Sequence, residues 1–257
     1  LLWHKKHENN SQRAVQGFVD HHRESMPDEF SLWLTDQLPG WKGSGLQFHW
    51  ASLRDGDKWK EEAPGWLLTS NCSITREVYF AEGGFNESFP YAAWEDIEFS
   101  TRLRMRQIPT FFNPACITRH LHRLTLDGYV NRQIKAGYSS CILSGLHPEI
   151  APSLISPEGL REYSDEKLAY AIQKAKEVTT GDDTKEIRYQ RWSIALQYAS
   201  WKGVLDYIKE KGRGWLALPH VHSPELVMHV VSCASNLDRG DITMAQLDLG
   251  WALDKHQ

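Results

Sequence analysis

The chain has 257 residues, 41% of them hydrophobic, with 33 acidic against 29 basic side chains and a formal net charge of −4. That is enough apolar material for one large domain or two smaller ones, and the weakly acidic balance gives no general electrostatic case for binding nucleic acid. The longest apolar runs, such as Val227 to Val231 with His229 inside, fall far short of the roughly 20 residues that a membrane-crossing helix needs, so no transmembrane segment is expected.

Four cysteines, Cys72, Cys116, Cys141 and Cys233, lie far apart and form no C-x-x-C. This argues against a zinc knuckle or a disulfide scaffold and fits a reducing, cytoplasmic compartment. Peripheral attachment to the inner face of a membrane remains compatible with that. The opening LLWHKKHENN has neither the apolar stretch nor the small-residue cleavage site of a secretion signal. Of the 11 tryptophans, Trp3, Trp33, Trp41, Trp50, Trp59 and Trp66 precede Leu67. Such rings can stack on sugars or bases, although most tryptophans serve as core or interface anchors.

In chain order, Leu1 to His7 reads as the end of a helix, and RAVQGFVDHH as a strand in which Val15, Gly17 and Val19 alternate with Gln16 and Phe18. MPDEFSLWLTDQL offers Asp28 as an N-cap for a helix whose apolar contacts are Phe30, Leu32, Trp33, Leu34 and Leu38. From Gly40 to Gly65 the text is rich in Gly, Trp and charge, with LRDGDK as a turn, and predicts a long loop. Trp66 to Thr69 reads as a short strand, Ser70 and Asn71 as a turn, and Thr75 to Ala81 as a helix ended by Gly83 and Gly84. IPTFFNPACITRHLH predicts one or two buried strands around Pro114, and a helix follows from Leu126 to Leu143.

Beyond Pro152 the pattern turns helical. SDEKLAYAIQKAKEV sets Leu168, Ile172 and Ala175 on one face, with Ser164 as cap. The next helix carries Ile187, Ile194, Tyr198 and Trp201 as its apolar stripe. SPELVMHVVSCA has Ser223 as cap and Pro224 at the first helical position, and a last helix runs from Ile242 to Lys255. The expected organisation is an α/β segment over 1–152 and an all-α helical bundle over 153–257.

The stretch YAAWEDIEFSTRLRMRQ places Glu95 and Asp96 at the start of a helical pattern. Asp96, Phe99 and Leu103 share its inward face, while Glu95 and Glu98 point elsewhere. A carboxylate in the first turn is stabilised as an anion by the helix dipole, which suits a general base. Acids are also favoured in any first helical turn, with no chemistry attached. Downstream, TRHLHR puts His120 and His122 on one face of an extended segment, where two imidazoles and a carboxylate could hold a divalent metal. Such a pair is more often a surface or satisfied histidine. The remaining charged clusters, WHKKH, the arginines of TRLRMR and HVH at His220 to His222, read as solvated surface.

Taken together, Asn71, Ser73 and Arg76; Gly83, Gly84, Phe85, Asn86 and Glu87; Trp94, Glu95 and Asp96; Arg102 and Leu103; and His120 form an ordered set. This set resembles the second half of an inverting family 2 glycosyltransferase of the GT-A fold, and the likeness covers Leu1 to Pro148. The resemblance implies a partial GT-A-like mixed sheet and a nucleotide-sugar-dependent transfer to a hydroxyl acceptor. Asp96 would be the catalytic base, and Glu95 would orient acceptor hydroxyls. Ser70, Asn71, Gly83 and Gly84 would line the sugar pocket, with Trp94 stacking on an acceptor ring. His120, with His122 as alternative, would ligate Mn²⁺ or Mg²⁺ on the departing diphosphate. The implied partners are a nucleotide-sugar donor, UDP-linked by expectation, and a carbohydrate or glycan acceptor, with no nucleic acid. A protein partner could dock through the helical region. The family's Asp-x-Asp metal grip is not found: Asp55-Gly56-Asp57 follows no apolar strand and reads as a solvated turn. The chain therefore reads as entering the fold midway, and weak binding of a UDP-sugar is expected. A non-catalytic scaffold built on a degenerate transferase half is the alternative, and a metal-dependent hydrolase using Asp96, His120 and His122 is a third.

Overall fold

The computed structural model describes residues 13–35, 54–55, 58–59, 67–147, 157–177 and 185–211. Contacts divide the chain into two units, Leu1–Glu87 with Glu95–Thr125, and Ser88–Trp94 with Leu126–Gln257. The helix from Leu126 thus groups with the later helices rather than with the sheet that precedes it. The expected helices at Leu1 to His7, from Ser223 and over Ile242 to Lys255 lie outside the described residues.

The first unit is mixed α/β. Its sheet has the order β4-β1-β5, with β1 (Ala14–His21) between β4 (Cys72–Ile74) and β5 (Thr110–His120). β1 runs antiparallel to β4, from Ala14 opposite Ile74 to Gln16 opposite Cys72, and parallel to β5. Because β1 is central and covered on both faces, its even and odd positions are both largely buried, and the expected alternation is lost. A capping box opens α1 (Glu29–Leu34): Asp28 Oδ1 accepts from Ser31 N at 2.9 Å, and Ser31 Oγ accepts from Asp28 N at 3.2 Å. Within the expected long loop, β2 (Arg54–Asp55) pairs antiparallel with β3 (Lys58–Trp59), so these two dipeptides are strand rather than loop.

The register between β1 and β5 breaks once. Gly17 faces Asn113, but Phe18 faces Ile117, leaving Pro114, Ala115 and Cys116 bulged out of the ladder. Proline has no N–H to give a neighbour, and Asn113 Oδ1 accepts from Ala115 N at 3.1 Å to turn the chain. Up to Pro114 the strand is mostly covered, whereas Ala115 to Arg119 are exposed, which corrects the expectation of a buried strand on both sides of the proline.

The expected strand at Trp66 to Thr69 is also displaced: Thr69–Asn71 form a 3-10 turn and the strand is Cys72–Ile74. Leu67 and Leu68 need no ladder, because Leu67 N donates to Ser100 Oγ at 2.8 Å and Leu68 N to Gln16 Oε1 at 2.5 Å. Leu67 then joins Ala14, Val78, Phe99, Leu103 and Ile108 in the core, where each large side chain contributes about 1.5–3 kcal/mol by leaving water. Val78 comes from α2 (Arg76–Ala81), and Phe99 and Leu103 from α3 (Glu95–Met105).

The second unit is helical over its described elements: α4 (Leu126–Leu146), α5 (Pro157–Glu162), α6 (Asp165–Lys176) and α7 (Lys185–Lys211). α4 and α7 cross backbone to backbone. A Cβ on Gly137 would come within 1.9 Å of Ser200 O, and one on Gly203 within 1.9 Å of Ile134 O. α6 is capped by Ser164 as expected and buries Leu168, Ala171 and Ala175. The stripe expected on α7 is corrected, since Ile187 and Ile194 are 39% and 38% exposed while Trp192, Ala195, Leu196, Ala199 and Val204 face inward. The buried stripe is rotated because the two glycine contacts dictate which side of α7 meets α4. Among the described residues no helix is long and apolar enough to cross a membrane.

Candidate functional site

α2 ends in a Schellman turn. Gly83 N donates to Phe80 O at 3.1 Å, and Gly84 N to Tyr79 O at 2.9 Å. Both glycines have positive φ, 77° and 72°, which explains why the expected helix stop is a Gly pair. The Arg102 guanidinium then ties this turn to α3. It donates to both Glu98 oxygens at 2.9 and 2.8 Å, to Gly84 O at 2.6 Å and to Glu82 O, and lies over the Phe99 ring at 5.0 Å. Glu98 is buried, so the bidentate pair replaces the water it has lost. Gly83, Gly84 and Arg102 thereby fix the orientation of the helix that carries Asp96.

Asp96 occupies the second position of α3. Its Oδ1 accepts from Ile97 N at 2.9 Å, a backbone hydrogen bond from Thr69 also favours its anion, and its carbonyl oxygen accepts from Ser100 Oγ at 2.6 Å. Burial nevertheless prevails. Together with the Glu95 charge beside it, burial pushes the Asp96 carboxyl up to about 6, against the backbone donors. The helix dipole alone would favour the opposite shift, so desolvation outweighs it here. Glu95 Oε2 is buried and has no hydrogen-bond partner among the described residues. The Cys72 thiol is pushed up, by burial first and then by the Asp96 charge, which marks it as a close neighbour.

Asp96 therefore sits against the turn Thr69–Asn71, and the structure brings together Glu95, Asp96 and the segment that carries Ser70 and Asn71. Ser70 is exposed there. Asn71 serves the sheet, since its Nδ2 donates to Phe18 O at 2.9 Å and to Cys116 O at 2.7 Å and so bridges the bulge between β1 and β5. Gly17 makes room for it, because a Cβ there would stand 2.4 Å from Asn71 Nδ2. Gln16 completes the arrangement by donating through Nε2 to Gly17 O at 2.8 Å and to Asn71 O at 2.9 Å. Sequence reasoning passed over Gln16 and Ser100. The available signals were a polar side chain inside a buried strand and a serine one helical turn beyond Asp96.

Trp94 belongs to the second unit, where its Nε1 donates to Ala136 O of α4 at 2.8 Å, and its φ is 71°. That hydrogen bond anchors the edge of the indole to a helix backbone. At the end of β5, His120 and His122 do meet, with ring centroids 6.0 Å apart, and His21 stands edge-on to His120 at 5.7 Å. Burial, reinforced by the His120 charge and opposed by Asp20, holds His21 down at about 4, so its ring is neutral at pH 7. Two imidazoles are not a complete ligand set. Among the described residues no group of three or more His, Cys, Asp or Glu side chains is placed to hold a metal. Compared with family models, with curated proteins and with solved structures, the chain matches none.

Proposed function

We propose that this chain carries the acceptor side of an inverting, nucleotide-sugar-dependent glycosyltransferase with a GT-A-like sheet, and that Asp96 is its general base. The supporting observation is a carboxyl group raised to about 6 at the start of α3, on a helix braced by Arg102 and beside an exposed turn. Such a group is ionised at neutral pH yet more basic than an ordinary aspartate, which is the compromise a general base requires.

In the proposed reaction Asp96 takes the proton of an acceptor hydroxyl. That oxygen forms a bond to the anomeric carbon of the donor sugar while the bond from this carbon to the nucleotide phosphate breaks on the opposite face, which inverts the centre. Glu95, with one buried oxygen that has no donor among the described residues, accepts a hydrogen bond from the acceptor and orients it. The test is Asp96→Asn in the longest native chain, with sugar transfer followed by product analysis. Loss of about 10²–10⁴-fold in kcat with folding retained is expected; unchanged transfer would reject the assignment.

A non-catalytic scaffold is the second reading, and a particular observation favours it: Asn71, Gly83, Gly84 and Arg102 are all engaged in holding the fold together. On that reading Asp96→Asn leaves every measured function of the protein intact.

A further inference from the structure

The strand β5 has an exposed half that takes no part in the Asp96 site. Beyond the bulge the strand alternation resumes, with successive residues pointing to opposite faces, so the exposure of Ile117, Thr118 and Arg119 alike means that both faces are bare there. Over Ile117 to Arg119, β5 pairs among the described residues only with β1, which leaves the outer edge of this stretch open to an added strand.

The side chains on this segment are not neutral filler. Ile117 is 60% exposed and Leu121 69%, and Arg119 and Arg123 are exposed as well. Ile117 and Arg119 share one side of the strand, and Leu121 and Arg123 repeat the alternation of apolar and cationic residues in the chain just beyond its end at His120. His122 is exposed between them. Among the described residues neither Arg119 nor Arg123 makes an ion pair. Asp20, the register partner of Arg119, turns Oδ1 to His21 N at 2.8 Å.

We propose that Ile117 to Arg123 is a docking edge for an extended acidic segment of a partner protein, added as a strand beside β5. Charge decides among the occupants. A second copy pairing by the same edge would bring two more arginines and no carboxylate, because Ile117 to Arg123 holds no acidic residue, so the cations would gather without a counter-charge. An anionic lipid surface would neutralise the arginines but would desolvate an open backbone edge without supplying its hydrogen bonds. An extended peptide with apolar and acidic residues at every second position satisfies all three demands: backbone pairing, cover for Ile117 and Leu121, and carboxylates for the arginines. This inference stands independently of the transferase reading.

The test uses the full chain and a synthetic fluorescent peptide with alternating Val and Glu on one face and Thr on the other. Its controls are the same peptide with Lys for Glu and one N-methylated along the pairing edge. Saturable binding with a dissociation constant on the order of tens of micromolar is expected, with loss on N-methylation, which leaves the protein untouched. The Arg119→Glu/Arg123→Glu variant should lose about tenfold or more in affinity and should regain it toward the Lys peptide. Vesicles of phosphatidylserine and phosphatidylcholine form the last arm. Binding to vesicles but not to the peptide, equal binding of the N-methylated peptide, or no saturation in the millimolar range would overturn the proposal, and the arginines would then serve only to keep the edge from self-association.

Discussion

Gln107 follows α3 with φ 58°, the left-handed region that a side chain occupies at a cost of roughly 1–2 kcal/mol. It is held there by a Schellman pair, Gln107 N to Arg104 O at 2.9 Å and Ile108 N to Leu103 O at 2.9 Å, and by burial of Ile108 beside Leu103. Gly83 ends α2 in the same way with the residue that the geometry prefers. Gln107→Gly is therefore expected to stabilise the protein by about 0.5–1 kcal/mol, the gain in the turn being partly offset by a freer unfolded chain. Chemical denaturation measures it, and a loss of stability would contradict the assignment. The Gly-Gly turn was legible in the sequence because glycine is the residue this geometry selects. The Gln107 turn was not, because local residue preference opposes it and tertiary burial overrides that preference.

At the level of elements, the same distinction recurs in the helices of the second unit. The Ser164 cap and the apolar spacing locate α6, and helical spacing alone announces α7, since each follows from neighbouring residues. Which face of α7 is buried does not follow, because Gly137 and Gly203 become a crossing point only when α4 and α7 meet. Gly203→Val is expected to destabilise this unit by more than about 3 kcal/mol, because the new Cβ meets a backbone carbonyl rather than a side chain that can move aside. Loss of helical circular dichroism at lower temperature checks this. The bulge in β5 shows a similar mixture. Pro114 announces an interruption, but the three residues pushed out and their repair by Asn71 depend on Gly17 in another strand.

For the molecule as a whole, Asp96 leaves a signature in stability against pH. Its folded value, about 6, lies above the ordinary 3.8, so the folded state binds the proton more tightly. Its contribution is complete below 3.8 and is lost as pH rises through 6. His21, held at about 4 against 6.5, contributes in the opposite sense, losing stability as pH falls from 6.5 towards 4. The comparison between variant and parent is therefore diagnostic, not the parent curve alone. Relative to the parent, Asp96→Asn should gain stability as pH rises from 3.8 to 6, reaching on the order of 3 kcal/mol near neutrality. Melting at stepped pH measures it, and a difference that does not change with pH would mean that the carboxyl is not raised.

By itself the sequence determined the places where the chain must start, stop or turn: the Asp28 box, the Gly83–Gly84 stop, the Ser164 cap, the interruption at Pro114 and the acids opening α3. These are decided by groups a few residues apart, whose hydrogen bonds and backbone angles need no distant partner. Tertiary structure decided the rest, namely that Asp96 is raised rather than lowered, that Asn71 bridges two strands, and that half of β5 stands bare. Those outcomes rest on desolvation and on contacts between residues far apart in the chain, and neither exists until the elements have packed.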